Sequence, residues 1–119
     1  MYEYSCIIKR VIDGDTVVVD IDLGFDVHLK DQHIRLEGID APEVRTRDLE
    51  EKEKGLEAKS FVESILPVGT EQVLKSYQYQ GKYGRIIGSF HVYSPTTDRW
   101  TDLCKLMVEE GYAVKYGEE

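Results

Sequence analysis

The chain has 119 residues, 41% of them hydrophobic and 32% charged, and a net charge of −8. That length suits a single domain over residues 1–119 and leaves no room for a second core. No run approaches the roughly 18 apolar residues of a membrane-spanning helix, so no membrane partner is expected. Two distant cysteines, Cys6 and Cys104, form neither a disulfide framework nor a zinc motif, and they read as small buried apolar residues.

The N-terminus, Met1-Tyr2-Glu3-Tyr4-Ser5, lacks the basic and apolar regions of a signal peptide, which points to a cytoplasmic protein. Tyr4, Cys6 and Ile8 alternate with polar positions, as in a first strand. Val17, Val19, Ile21 and Leu23 share one face of a second strand. Gly24 permits a bend there. Val27 and Leu29 continue the odd-numbered face, whereas Ile34 and Leu36 are even-numbered. A strand cannot change faces without an irregularity, so a turn or bulge is expected at Lys30-Asp31-Gln32. Pro42 takes the segment from Gly38 to Glu43 out of the sheet.

From about Glu53 to Leu66 the spacing of Ala58, Phe61, Val62 and Ile65 predicts a helix, stopped by Pro67. Residues 71–78 and 85–93 read as strands four and five. A second helix is predicted over 102–110, with Thr101 as N-cap and Gly111 as the stop. Five strands and two helices give a mainly β, α+β protein or an OB-type barrel.

Several residues could carry chemistry. Asp13-Gly14-Asp15-Thr16 has the composition of a hairpin turn, the favoured reading of the segment alone, and its two acids also have the chemistry to form part of a site for a hard cation. Asp40 and Glu43 bracket Ala41-Pro42: they are either exposed loop acids, or a cation ligand and a general base. Arg35 lies between Ile34 and Leu36, so its side chain points away from their shared face. Arg85 opens strand five. Each arginine could be a surface charge, and two together could clamp one phosphodiester.

Taken in order, Ile12-Asp13-Gly14-Asp15-Thr16, Ile34-Arg35-Leu36, Asp40-Ala41-Pro42-Glu43 and Lys82-Tyr83-Gly84-Arg85 resemble the staphylococcal nuclease family. The similarity covers nearly the whole chain. It implies a five-stranded OB-fold barrel with two helices. It also implies a calcium-dependent phosphodiesterase acting on single-stranded DNA and RNA, breaking the bond to the 5′ oxygen and leaving 3′-phosphate ends. By position, Asp15, Asp40 and the carbonyl of Ala41 match the calcium ligands. Arg35 and Arg85 match the phosphate-binding arginines, and Glu43 matches the general base. Asp13, Thr16 and Tyr83 match supporting residues. A monomer is expected.

The match has departures. The chain between Asp15 and Arg35 is longer than in the best-known family member, so that hairpin should protrude. The C-terminal segment around Tyr112 and Tyr116 is short; either tyrosine could stack on a base or pack against the core. The acidic balance predicts weak non-specific affinity for nucleic acid. Two other readings compete with the enzyme. One is a catalytically silent OB-fold module that binds nucleic acid or protein. The other is an interaction domain whose acidic face meets a basic partner.

Overall fold

The computed structural model describes residues 2–80 and 83–117. Strand β1 (Tyr2–Asp13) pairs antiparallel with two neighbours, β2 (Thr16–Asp22) and β5 (Glu71–Gln80). Register shifts between Ile8 and Arg10 and between Val11 and Asp13 supply the bend that lets one strand serve both. β2 pairs with β3 (His28–Leu36), and β5 with β6 (Arg85–Ser94). The sheet closes where β3 runs parallel to β6, with His33 opposite Arg85 and Leu36 opposite Gly88. Closure of β1, β2, β3, β5 and β6 gives the five-stranded OB barrel, and it pairs the part of β3 from His33 to Leu36 that would otherwise be a free edge.

The barrel interior follows the period-2 alternation of its strands. Ile8, Val17, Val19, Ile34, Leu74 and Phe90 are all fully buried. Each such side chain contributes about 2 kcal/mol. Two helices cover the barrel. Helix α1 (Leu49–Ile65) contributes Ala58 and Val62 to the core, and α2 (Leu103–Glu109) contributes Leu103, Leu106 and Met107. Cys6 and Cys104 are free and buried, and burial pushes both thiols up to about 12.

The expected irregularity in the third strand is present. Val19 pairs with Gln32 but Ile21 pairs with Leu29, and Asp31 takes a left-handed φ of 53°. Other boundaries differ from expectation. Helix α1 begins four residues early because Asp48 caps it, accepting from the N–H groups of Glu50 and Glu51 at 3.0 and 3.3 Å. Thr101 is not the N-cap of α2. It lies in an additional strand, β7 (Arg99–Asp102), which pairs with β6. Asp102 holds the cap position, but its carboxylate accepts from the Ser89 hydroxyl instead of from the helix. A further two-stranded ladder joins β4 (Ile39–Asp40) to β8 (Val114–Lys115). Among the described residues, no helix is long and apolar enough to cross a membrane.

Candidate active site

The β1–β2 turn and the end of β3 meet at one rim of the barrel. Thr16 pairs with Arg35, which brings Asp15 beside the arginine. Arg35 Nη2 donates to Asp40 Oδ1 at 2.6 Å, and Nη1 lies 3.7 Å from Asp15 Oδ2. Nη1 also donates to the Leu36 carbonyl at 3.0 Å. One guanidinium therefore ties together the two acids that the sequence offered as metal ligands. Ala41 joins the same group, since its N–H donates to Asp15 Oδ2 at 2.9 Å. The Thr16 hydroxyl donates to Asp15 Oδ1 at 3.1 Å. Asp13 accepts from the Val44 N–H at 3.2 Å and so pins the loop that carries Glu43.

Arg85 lies one pleat away. It sits opposite His33 across the β3–β6 closure, while Arg35 sits opposite Ile87. Side chains two positions apart on a strand share a face, so both arginines lie on the outer wall of the barrel. Arg85 Nε donates to Gln80 Oε1 at 2.8 Å, and its guanidinium lies 5.7 Å from the centre of the Tyr83 ring. Lys82, the first residue of that string, lies outside the described residues. Glu43 is exposed and lines an open cleft of about 750 Å³, together with Asp40, Ala41, the first turns of α1 and the Gly111–Val114 segment.

Gly55 belongs to none of the four strings, yet it positions the loop. A Cβ at Gly55 would lie 2.5 Å from the Glu43 carbonyl oxygen and 3.0 Å from that of Pro42. Only a glycine lets α1 come this close to the backbone carrying the candidate base. The signal was available: glycine inside a helix costs about 1 kcal/mol relative to alanine, so its presence implies a compensating contact. Gly14 does the same on the other side. A Cβ there would meet Ala58 at 2.8 Å and Ala41 at 2.9 Å. Tyr112 does not project into solvent; it stacks on Phe61 with ring centres 4.4 Å apart. Tyr116 is exposed, and its N–H donates to the Gly38 carbonyl at 2.9 Å.

Among the described residues, no group of three or more His, Cys, Asp or Glu side chains is gathered as a metal cage. Asp15, Asp40 and the Ala41 carbonyl offer a smaller, all-oxygen donor set. Calcium accepts such a set with water completing its shell. The donor chemistry therefore fits calcium and does not fit zinc, which favours nitrogen and sulfur.

Residues 33–119 match the family described as staphylococcal nuclease homologue. The chain belongs to that family. It is 31% identical over 83 residues to a thermonuclease of Staphylococcus intermedius, a match covering 70% of this chain and 46% of the relative. It is 33% identical over 78 residues to a thermonuclease of Staphylococcus hyicus, covering 66% of this chain and 43% of the relative. The chain thus spans a little under half the length of these thermonucleases. The matched stretch includes Arg35, Asp40, Glu43 and Arg85, and Asp15 lies before it.

Proposed function

We propose that the protein is a calcium-dependent phosphodiesterase that hydrolyses single-stranded DNA and RNA at the 5′ oxygen and leaves 3′-phosphate ends. The observation carrying this reading is the convergence on Arg35. It holds Asp15 and Asp40 at one rim, with Arg85 beside it on the same wall and Glu43 on the adjoining loop. Membership of a family with thermonuclease relatives supports it.

Arg35 and Arg85 hydrogen-bond the non-bridging oxygens of the phosphodiester. Their guanidinium groups are held in advance, Arg35 by carboxylates and Arg85 by Gln80, so little reorganisation is needed as charge builds on phosphorus. Glu43 accepts a proton from the attacking water. The new bond joins that water's oxygen to phosphorus, and the bond from phosphorus to the 5′ oxygen breaks, that oxygen taking a proton from solvent to leave as a 5′-hydroxyl. Asp15, Asp40 and the Ala41 carbonyl would hold calcium, which supplies Lewis-acid stabilisation of the phosphoryl oxygens when bound. Gly55 and Asp13 fix the backbone from which Glu43 projects.

Incubation with single-stranded DNA in calcium and in excess EDTA, beside a Glu43→Gln variant, tests the reading. Calcium-dependent cleavage is expected. The variant should lose roughly a hundred- to ten-thousand-fold in rate. If the folded wild-type protein cleaves neither DNA nor RNA in calcium, the proposal is wrong.

A further inference from the structure

The candidate site has two flanks of opposite character. On one side lies the open cleft, whose walls beyond Asp40 and Glu43 of the site itself carry Asp48, Glu50 and Glu51 against the single cation Lys54. A polyphosphate strand would be repelled along that route. On the other side lies the outer wall of the barrel. There the strand registers align one row of outward residues across the sheet. Arg85 on β6 faces His33 on β3, His33 faces Val18 on β2, and Val18 faces Arg10 on β1.

Several features make this row a surface for an anion. Arg10 is exposed, and among the described residues its guanidinium makes no ion pair. Val18 is fully buried yet stands outside the core cluster. Lys9 and Lys30 flank the row and share one acid, Asp20, at 3.6 and 3.5 Å, leaving a net positive charge there. The exposed Asp31 offsets that charge, so the positive charge of the row rests on Arg10 and Arg85. In a chain of net charge −8, this is a local inversion of sign that leads directly away from Arg85.

We infer that the Arg85–His33–Val18–Arg10 row is the track along which a single-stranded nucleic acid continues beyond the reacting phosphate, with Arg10 binding a phosphate outside the active site. This rests on the nuclease reading and specifies its substrate path. Three strand spacings separate Arg85 from Arg10, about 14 Å. A dinucleotide at Arg35 and Arg85 does not reach Arg10; an oligonucleotide within the usual OB-fold site size, on the order of four to sixteen nucleotides, does. The acidic cleft makes the opposite path unfavourable.

The test uses the full chain in calcium, a dinucleotide and a single-stranded oligonucleotide of about twelve nucleotides. Variants R10E and R10Q are compared with R99E, which makes the same charge change as R10E on exposed β7. For the longer substrate, R10E should raise KM about tenfold, and R10Q about threefold, by loss of a phosphate contact. The slope of log KM against log salt should fall by about 0.7 in both. R99E should do neither. Thermal unfolding shows whether each variant is folded, and R10Q, which keeps a neutral polar side chain at the row, carries the test if R10E is not folded. If the wild type cleaves both substrates but R10E and R10Q match R99E on the longer one, the track is wrong while the nuclease stands. Equal losses on the dinucleotide and the longer strand would also overturn it. A wild type that cleaves neither substrate removes the nuclease reading, and the track with it.

Discussion

Strands β2 and β3 run between two ends that are organised differently. At the site end, Asp15 is held by groups far away in the chain, the Ala41 N–H and the Arg35 guanidinium that also binds Asp40, while Gly14 and Gly55 let α1 press on the same region. At the hairpin end the bonds are local. The Leu23 N–H donates to the Val27 carbonyl at 2.8 Å, and that of Val27 to the Gly24 carbonyl at 2.9 Å. Gly24, Phe25 and Asp26 all adopt left-handed φ values, and Phe25 is fully exposed at the apex. The same two strands therefore carry a tertiary network at one end and a self-contained turn at the other. A change at the first end should propagate to chemistry, and a change at the second should stop where it is made.

The largest effect should come from Gly55→Ala. Alanine improves helix propensity by about 1 kcal/mol. Its Cβ would lie 2.5 Å from the Glu43 carbonyl oxygen, and overpacking of this kind costs about 1–3 kcal/mol. The two nearly cancel in stability, but the loop must move. A shift of about 1 Å at a catalytic group costs about a hundredfold in rate. Urea unfolding should therefore change by less than about 2 kcal/mol while kcat falls about a hundredfold. Unchanged kcat would show that Glu43 does not depend on this contact.

An intermediate effect should come from Asp20→Asn, midway between the two ends. Asp20 accepts from the Asp31 N–H at 2.9 Å. That bond, more than Lys30 and Lys9, holds its carboxyl below the usual 3.8, against the opposing effect of burial. The folded value is depressed, so the stabilisation is present above 3.8 and is lost as pH falls through the lower, folded value. Asparagine keeps an acceptor for Asp31 but loses the charge, a cost of about 1 kcal/mol at neutral pH. Denaturant titrations at neutral and acid pH should find the variant less stable at neutral pH, with the difference shrinking in acid. A constant difference would remove Asp20 from the acid response.

The smallest effect should come from Phe25→Gly. Glycine relieves a left-handed residue of about 1 kcal/mol, but it frees the unfolded chain by a similar amount. The net change should stay within about 0.5 kcal/mol, with activity unaltered. A larger stability loss would mean that the apex has a packing partner.

The legibility of the sequence divides along the same line. Period-2 alternation exposed Val17, Val19 and Ile34 as core and Arg35 as outward, because strand geometry is set locally. The parity conflict between Leu29 and Ile34 located the bulge at Asp31 for the same reason. The four strings carrying Asp15, Arg35, Asp40, Glu43 and Arg85 were readable because they are contiguous. Gly55 was legible only as a helix glycine in need of a compensating contact, since the loop it meets leaves no local pattern. Strands β7 and β8 were missed because four- and two-residue segments acquire strand character only from their partners. Asp102 was read only as part of a helix start because its partner Ser89 lies across the fold.

The short ladder between β4 and β8 has a consequence for when the site can exist. Asp40 pairs with Val114, about seventy residues further along the chain, and Gly38 receives the N–H of Tyr116. Synthesis runs from the N-terminus, and domains assemble as their segments emerge. Asp15, Arg35 and Asp40 are all made early, yet the strand that carries Asp40 finds its partner only after almost the whole described chain has left the ribosome. The strand that carries Asp40 is therefore completed by one of the last described segments to be made.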